Sequence, residues 1–293
     1  MQKKAVGYCD LNILSDSKDL KKTVLEALRL GFQTIAINTV VHTEPSYEES
    51  KSNKKKDSGN KGDQCIIPAP TRVSLSPDDL KQYGIAEEPV LLSRLTLVYK
   101  DTTRPFLHKA KAAIEEYDVV AFTPLSEEAF KQVCQSLMYV DIICLDPDSQ
   151  LCSSKLPRNL CRLAVERDMY FELQYGPCIG SRNISSWQST IRLGHLLSDY
   201  INSRNVIVTS ATASPEPIRS PADVIAMARF FGLSLGAAHS SVSALCHDTV
   251  HCALQRRAGA NKCNVLIDFG DNVSKDNVAN RKNAPKRKAG EML

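Results

Sequence analysis

Short apolar runs alternate with amphipathic runs along most of the chain. Seven of the apolar runs have the length and composition of buried strands, and they cover residues 5–14, 34–40, 91–99, 118–124, 141–146, 169–175 and 205–210. The amphipathic runs predict helices near 104–116, 126–138, 156–167 and 184–202. Because strands and helices alternate, the pattern predicts a parallel sheet that is covered by helices.

The strongest helix signal follows the first strand. The run SDSKDLKKTVLEALRLGF offers polar cap residues at Ser15 to Ser17 and places Leu20, Val24 and Leu28 on one face. Gly31 lies where such a helix is expected to stop. We therefore expect one helix between this polar cap and Gly31.

The strands favour a closed barrel over an open sheet. No Gly-x-Gly-x-x-Gly follows the first strand, as a nucleotide-binding open sheet would require. Several strands also carry polar residues, which the mouth of a barrel tolerates and an open parallel sheet does not: Asp10, Asn12, Asn38, Arg94, Thr96 and Glu172. The sequence thus predicts an α/β fold of the TIM-like barrel type, with an open doubly wound sheet as the alternative.

Two polar segments interrupt or follow this pattern. Residues 43–64 are lysine-rich and almost free of apolar side chains, so we expect a disordered insertion there. Residues 258–293 have a similar composition, and we expect a disordered basic tail. The predicted barrel domain is therefore 1–257. Within it, SPDDLKQYG predicts a short helix with Ser76 as cap and Pro77 in the first position.

Composition narrows the class of protein. The 293 residues are 43% hydrophobic, enough for one domain of barrel size. The N-terminus lacks the apolar run of a signal peptide, and no run of 18 apolar residues predicts a membrane span. The ten scattered cysteines indicate reduced thiols of a cytosolic or nuclear protein. The formal net charge is +4. The segment from Arg256 onward contains nine basic and four acidic residues, so residues 1–255 together are nearly neutral.

The end of the first strand is where a barrel phosphoesterase would carry a His-x-His metal motif. This chain has CDLNIL there, with Asp10 and no histidine. A metal ion needs several ligands that converge in fixed geometry. We interpret Asp10 as a structural carboxylate that is hydrogen-bonded within the barrel, and we expect no metal site and no cofactor.

A second group of potential ligands lies near the end of the predicted barrel. His239, His247 and His251 lie close in sequence to Cys246 and Cys252. His247 and His251 are spaced i, i+4, but HDTVH lacks the glutamate of a zinc-binding helix. We interpret the pair as part of a polar helix surface.

Arg94 and Glu172 each lie in the middle of an apolar strand. A buried charge is costly unless it is paired. We expect the two side chains to face each other or other polar groups, with Asn38 nearby in the barrel interior. The alternative is a remnant of an active site.

The loop after the seventh strand, VTSATASPEPIRSPADV, carries three prolines and one arginine. Ser220 and Pro221 begin a helix, with Asp223 at the capping-box distance. An arginine held near a helix N-terminus suits a phosphate or a carboxylate. We predict that Arg219 and Ser220 contact RNA or a partner protein, with a salt bridge to a neighbouring loop as the alternative for Arg219.

The C-terminal region is basic. Five of the eight residues from Arg281 to Lys288 are lysine or arginine, which is typical of nuclear import signals and of RNA-tethering arms. The predicted contacts in this region are Arg256, Arg257, Lys286, Arg287 and Lys288.

Several of these segments together resemble the thirty-kilodalton protein subunit of eukaryotic and archaeal ribonuclease P. They are CDLNIL, SRLTLVYKD, YDVVAFTP, MYFELQYGPCI and NVIVTSATASPEPIRSPADVIAMARFFGL, and the resemblance covers most of residues 5–255. It implies a barrel of the polymerase-and-histidinol-phosphatase type, related to metal-dependent hydrolases, that has lost its metal site. The insertion and the tail lie outside it.

The resemblance also implies a function. The expected protein is a non-catalytic subunit that supports a catalytic RNA in removing the 5′ leader of precursor tRNA, and so contacts that tRNA indirectly. The implied partners are ribonuclease P RNA, the related ribonuclease MRP RNA that serves ribosomal RNA processing, a small α/β-sandwich subunit and other ribonuclease P proteins. A nuclear and nucleolar location without membrane contact follows.

Two other functions stay open at this point. A metal-dependent phosphoesterase or nuclease on the same barrel would need histidines and carboxylates at several strand ends. A scaffold that contacts only proteins would show no salt-sensitive RNA binding.

Overall fold

In the computed structural model, the described residues are 4–42, 67–99, 110–137, 139–153, 156–180 and 184–258. They contain the strands β1 (Tyr8–Leu14), β2 (Phe32–His42), β3 (Val90–Tyr99), β4 (Val119–Pro124), β5 (Ile142–Cys144), β6 (Tyr170–Gln174) and β7 (Val206–Thr209). They also contain the helices α1 (Leu20–Arg29), α2 (Pro77–Gln82), α3 (Lys111–Glu115), α4 (Glu127–Gln135), α5 (Gln150–Ser153), α6 (Arg158–Glu166), α7 (Gly176–Gly180), α8 (Ile184–Ile201), α9 (Pro221–Phe230), α10 (Leu235–Ser240) and α11 (Ala244–Arg257).

The seven strands form one parallel sheet in chain order, from β1 to β7. The sheet nearly closes on itself, because Ile13 of β1 bridges Thr212, which lies just after β7. The Leu14 N–H donates to the Thr212 carbonyl at 2.9 Å across this seam. The predicted TIM-like barrel is confirmed, and the open doubly wound sheet is not formed.

Both faces of the strands are buried, which explains their nearly continuous apolar runs. Outward-facing residues such as Ile35, Leu95 and Phe171 belong to one core with the surrounding helices, for example with Val24 and Phe130. Inward-facing residues belong to a second, smaller core inside the barrel. The site described below lies in this interior.

Helix α11 closes the amino end of the barrel. Its Cys246, Val250 and Ala253 pack against residues at the starts of the strands, including Cys9 and Leu92. The amino end is thus filled by apolar side chains. Polar residues further along β1, β2, β3, β6 and β7 fill the interior toward the carboxyl end.

The start of the first helix was predicted wrongly. Helix α1 begins at Leu20 with Asp19 as its N-cap, and no side chain caps it, so Ser15 to Ser17 do not serve as the cap. The predicted stop holds, because Gly31 has a φ of 109°, which favours glycine. In α2 the predicted cap is confirmed, since the Ser76 side chain accepts from the Asp79 N–H at 3.2 Å.

Other predictions concern residues beyond the described ones. The first part of the predicted helix at 104–116, residues 104–109, lies outside them, and 111–115 is seen as α3. The insertion at 43–64 lies outside them too, as does the tail beyond Ala258. Among the helices of the described ranges, none has the length and apolar character that crossing a membrane requires.

Candidate functional site

The barrel interior carries a layer of buried polar side chains. Strand alternation explains its position, because residues two apart share one face. Asn38 lies two residues beyond the inward-facing Ala36, and Arg94 lies two beyond Leu92. The same spacing places Glu172 and Thr209 in the interior, on β6 and β7. Asn12, Asn38, Arg94, Thr96, Glu172 and Thr209 are all at least nine-tenths buried.

Arg94 and Glu172 form an ion pair at the centre of this layer. The Arg94 Nη1 lies 2.5 Å from Glu172 Oε1, and Nη2 lies 2.8 Å from Oε2. Both side chains are fully buried. This two-pronged geometry gives the strongest pairing available between an arginine and a carboxylate.

The ion pair belongs to a closed ring of hydrogen bonds. Arg94 Nε donates to Thr96 Oγ1 at 3.2 Å, and Thr96 Oγ1 donates to Asn38 Oδ1 at 2.7 Å. Asn38 Nδ2 donates to Asn12 Oδ1 at 2.8 Å, and Asn12 Nδ2 donates to Glu172 Oε1 at 3.1 Å. We call these five side chains the interior ring. Each member binds two others, so the ring is satisfied without an external ligand.

The remaining bonding capacity of the ion pair is also used. Glu172 accepts from Thr209 Oγ1 at 2.9 Å and from Gln174 Nε2 at 2.9 Å. Arg94 donates to the Leu11 carbonyl at 2.8 Å and to the Cys144 sulfur at 3.1 Å. A carboxylate occupied in this way is a poor general base, because each of its oxygens already accepts hydrogen bonds from fixed donors.

The charges of the pair stabilise each other. Burial opposes ionisation of Glu172, but the positive charge of Arg94 outweighs it and holds the pKa of Glu172 at about 2. Burial likewise opposes the charge of Arg94, and the negative charge of Glu172 more than compensates, which raises the pKa of Arg94. Glu172 is therefore ionised at physiological pH, and the positive charge of Arg94 compensates its negative charge. A structural carboxylate requires such compensation.

Asp10 lies next to the ring at the barrel seam. Its Oδ1 accepts from the Ser210 N–H at 3.1 Å and from the Asn12 N–H at 3.2 Å, while Oδ2 is buried and has no hydrogen-bond partner among the described residues. Burial raises the pKa of Asp10 to about 6. Among the residues that the structure describes, no group of three or more His, Cys, Asp or Glu side chains could hold a metal ion.

The histidines near the chain end have separate surroundings. His251 is exposed on α11 and contacts Gln255, with 2.8 Å between the two Nε2 atoms. His247 is partly buried, and its Nε2 lies 2.8 Å from the Gly7 carbonyl. The prediction of a polar helix surface thus describes His251, whereas His247 helps to fix the start of β1. Cys246 is fully buried in the smaller core.

In the loop after β7, Ser220 caps helix α9, because its Oγ accepts from the Asp223 N–H at 3.3 Å. Arg219 Nη1 donates to the carbonyls of Glu216 at 2.7 Å and Ile218 at 2.9 Å. The Arg219 N–H donates to the Tyr175 hydroxyl at 3.3 Å. The guanidinium thus braces its own loop. Its contact with RNA or protein stays a prediction.

The basic residues at the end of α11 have intramolecular roles. Arg256 contacts Asp141, with Nη2 2.9 Å from Oδ2, and its side chain is 4% exposed. Arg257 pairs with Asp118 and is 35% exposed. The Arg256 guanidinium is enclosed against the barrel, and the contact of Arg256 and Arg257 with RNA or protein stays a prediction. Lys286, Arg287 and Lys288 lie outside the described residues.

Several residues of this network were not predicted. Thr209 and Gln174 complete the bonding of Glu172, and Asp141 receives Arg256. A period-two count from Glu172 reaches Gln174, so its inward position could have been found. The Arg256–Asp141 pair could not, because the partners are 115 residues apart.

Together these features define a parallel barrel whose interior is filled by an ion pair and a ring of amides and hydroxyls. The family model described as RNase P subunit p30 matches residues 7–258. A mouse (Mus musculus) protein, ribonuclease P protein subunit p30, is 31% identical over 248 residues, which are 83% of each chain. The chain therefore belongs to the RNase P subunit p30 family.

A solved structure shares the fold. A chain in a cryo-EM structure of archaeal ribonuclease P with mature tRNA matches with a TM-score of 0.54 at 13% identity, covering 92% of this chain and 99% of that one. A zinc-bound histidinol phosphate phosphatase from Lactococcus lactis matches with a TM-score of 0.47 at 12% identity, covering 78% of this chain and 94% of that one.

Proposed function

We propose that this chain is a non-catalytic subunit of ribonuclease P and that it supports an RNA component in removing the 5′ leader of precursor tRNA. RNA carries the catalysis in this proposal, and the barrel supplies a rigid body for assembly. Membership of the RNase P subunit p30 family supports the proposal.

The interior ring is the observation that carries the non-catalytic assignment. A barrel hydrolase uses the same region for ligands that converge on a metal ion or a substrate. Here the guanidinium of Arg94 is bound to Glu172 at 2.5 Å, and the ring residues bind one another. The Glu172 carboxylate is thereby occupied by fixed donors and is not available as a ligand for a metal ion.

The proposed partners are ribonuclease P RNA, a small α/β-sandwich subunit and other ribonuclease P proteins, with precursor tRNA contacted indirectly. We further propose that the chain also joins the ribonuclease MRP particle, which would link it to ribosomal RNA processing. Nuclear and nucleolar residence would follow from these assemblies. The basic cluster from Arg281 to Lys288 is consistent with nuclear import.

The test is recovery of the particle from cells of the source organism. The full-length chain is tagged, expressed at its native level and purified. The bound RNAs are sequenced, and the bound proteins are identified. We expect ribonuclease P RNA and its protein subunits, and depletion of the chain should cause precursor tRNAs with 5′ leaders to accumulate. Recovery of neither RNA nor ribonuclease P proteins would contradict the proposal.

A control addresses the competing enzymatic function. The purified chain is assayed for bound divalent metal and for cleavage of RNA and of a generic phosphoester, alongside Asp10→Ala. Stoichiometric metal together with cleavage by the chain alone, both lost in the variant, would replace the proposal with a metal-dependent nuclease.

A further inference from the structure

Two shallow depressions lie side by side at the amino end of the barrel. They flank the turn at 202–205, which connects α8 to β7, and they share Asn202. One has a volume of about 230 Å³ and is lined by Arg162, Tyr200 and Arg204. The other has a volume of about 600 Å³, with Arg229 and Ser198 in its lining.

Two arginines beside the smaller depression are already positioned. Arg158 Nη2 donates to the Asp199 carbonyl at 3.0 Å, and Arg162 Nε donates to the Tyr200 carbonyl at 3.3 Å. These carbonyls belong to the last turn of α8, where helical partners are lacking. The Arg158 guanidinium also lies 5.6 Å from the Tyr200 ring centroid. Both arginines are exposed, so their other N–H groups can bind a ligand at little entropic cost.

The turn presents a third arginine in a constrained backbone. Asn202, Ser203 and Asn205 have φ values of 54°, 56° and 51°, a region that residues other than glycine rarely adopt. Side-chain bonds hold the turn, with Asn205 Nδ2 donating to the Met169 carbonyl at 3.1 Å. Arg204 is exposed between these residues. Its position is therefore set by the backbone of the turn.

The fourth arginine, Arg229, is exposed near the end of α9. We call Arg158, Arg162, Arg204, Arg229 and Tyr200 the arginine face. Three of these arginines line the depressions, where Glu166 and Asp199 are the acidic side chains, so three positive charges face two negative ones, with Arg158 beside them. Residues 1–255 are close to neutral as a whole, which makes this a local positive patch on a neutral body.

The chemistry of this patch fits RNA. Arginine forks match phosphate oxygens, and serine and asparagine side chains can bind ribose hydroxyls. Ser198, Asn202, Ser203 and Ser234 line the larger depression and supply such groups. Phe230, which follows Arg229 and is 70% exposed, adds an aromatic ring on which a base could stack.

We infer that the arginine face binds the phosphate backbone of RNA at the end of the barrel opposite the polar mouth. The inference rests on the proposed function, since it names where the RNA of that particle is held. It also differs from the prediction for Arg219, which follows the carboxyl end of β7. One barrel could then contact RNA at its amino end and leave the mouth to other contacts.

The test uses full-length chain with R162Q, R204Q and R229Q combined, which keeps Arg158 as a donor to the last turn of α8. The matched control combines K18Q, K81Q and K131Q, which removes the same charge from exposed sites elsewhere. The probe is ribonuclease P RNA of the source organism, transcribed in vitro, with dissociation constants measured over a series of KCl concentrations. Equal thermal unfolding of all three proteins establishes that the variants fold.

We expect the arginine variant to bind about tenfold more weakly, with its salt slope reduced by about two to three, and the control to change far less. The variant with lysine at the same three positions should recover part of the affinity. Equal losses in variant and control would overturn the inference, as would unchanged RNA affinity with loss of a protein subunit.

Failure of the inference can be separated from failure of the proposed function. If wild-type chain recovers the ribonuclease P particle from cells but shows no salt-sensitive binding to the transcript, or the arginine variant binds it normally, only the arginine face is wrong. If wild-type chain recovers no such particle, the proposed function is wrong as well.

Discussion

Asp10 accepts a hydrogen bond from the backbone N–H of Ser210 at 3.1 Å, although 200 residues separate the two in sequence. The bond crosses the seam where β1 meets the segment after β7. Asp10 is 1% exposed, and its second carboxylate oxygen is buried without a partner among the described residues. The seam thus contains a carboxyl group whose charged form is poorly solvated.

This arrangement should make stability depend on pH. Burial raises the pKa of Asp10 from 3.8 to about 6. The native state then binds the proton more tightly than the unfolded state, so the contribution is present below about pH 4 and lost as the pH rises through about 6. Two pKa units correspond to about 3 kcal/mol. We expect the unfolding free energy of wild type relative to Asp10→Asn to fall by about this amount between pH 4 and 7.

The measurement is urea unfolding of both proteins across that pH range. The comparison with the asparagine variant cancels the contributions of the other titrating groups to the unfolding free energy, because both proteins contain those groups. A difference that does not change with pH would show that Asp10 titrates normally in the fold.

Arg94→Met should strongly destabilise the barrel. It would leave the Glu172 carboxylate buried with its main charge partner removed, and breaking a buried pair in this way costs about 3–5 kcal/mol. Arg94→Met combined with Glu172→Leu should recover much of this loss, because the unpaired charge is also gone. Chemical denaturation of wild type, both single variants and the double variant measures the coupling, and additive losses would contradict a direct ion pair.

Arg256 and Arg257 should differ sharply in their effect on stability. Arg256 is 4% exposed and bound to a fully buried Asp141, whereas Arg257 is 35% exposed. We expect Arg256→Ala to cost about 3 kcal/mol and Arg257→Ala less than about 1 kcal/mol. Thermal unfolding of the two variants checks this ranking. Equal effects would mean that Arg256 does not anchor α11 to the barrel.

Gly194 should not tolerate a side chain. A Cβ at this position of α8 would lie 2.2 Å from the Phe231 carbonyl oxygen, so α8 would have to move away from the residues after α9. We expect Gly194→Ala to destabilise by about 1–3 kcal/mol. Gly236→Ala is the matched control, because it lies in α10 with no atom within 4 Å of its Cβ, and alanine there should be neutral or stabilising. Melting temperatures of the two variants decide the comparison.

Local sequence patterns were sufficient to predict the strands and several of the helices. A parallel strand buried on both faces has to be apolar almost throughout, and this requirement is visible in the sequence wherever the strand lies. The cap of α2 was equally readable, since Ser76, Pro77 and Asp79 interact within one turn. The start of α1 could not be predicted in this way. Several polar residues there could each be the N-cap, and the path of the chain from β1 decides which of them is.

The sequence by itself determined that seven apolar strands would alternate with helices and that some of them would carry charged and amide groups inward. A charge within an apolar strand also required a partner, whatever the fold. Only the tertiary structure decided that Arg94 meets Glu172, that Asn12, Asn38 and Thr96 complete a ring, and that Arg256 reaches Asp141. Hydrogen bonds act over about 3 Å, so their partners depend on strand register and barrel closure, which bring residues distant in sequence into contact.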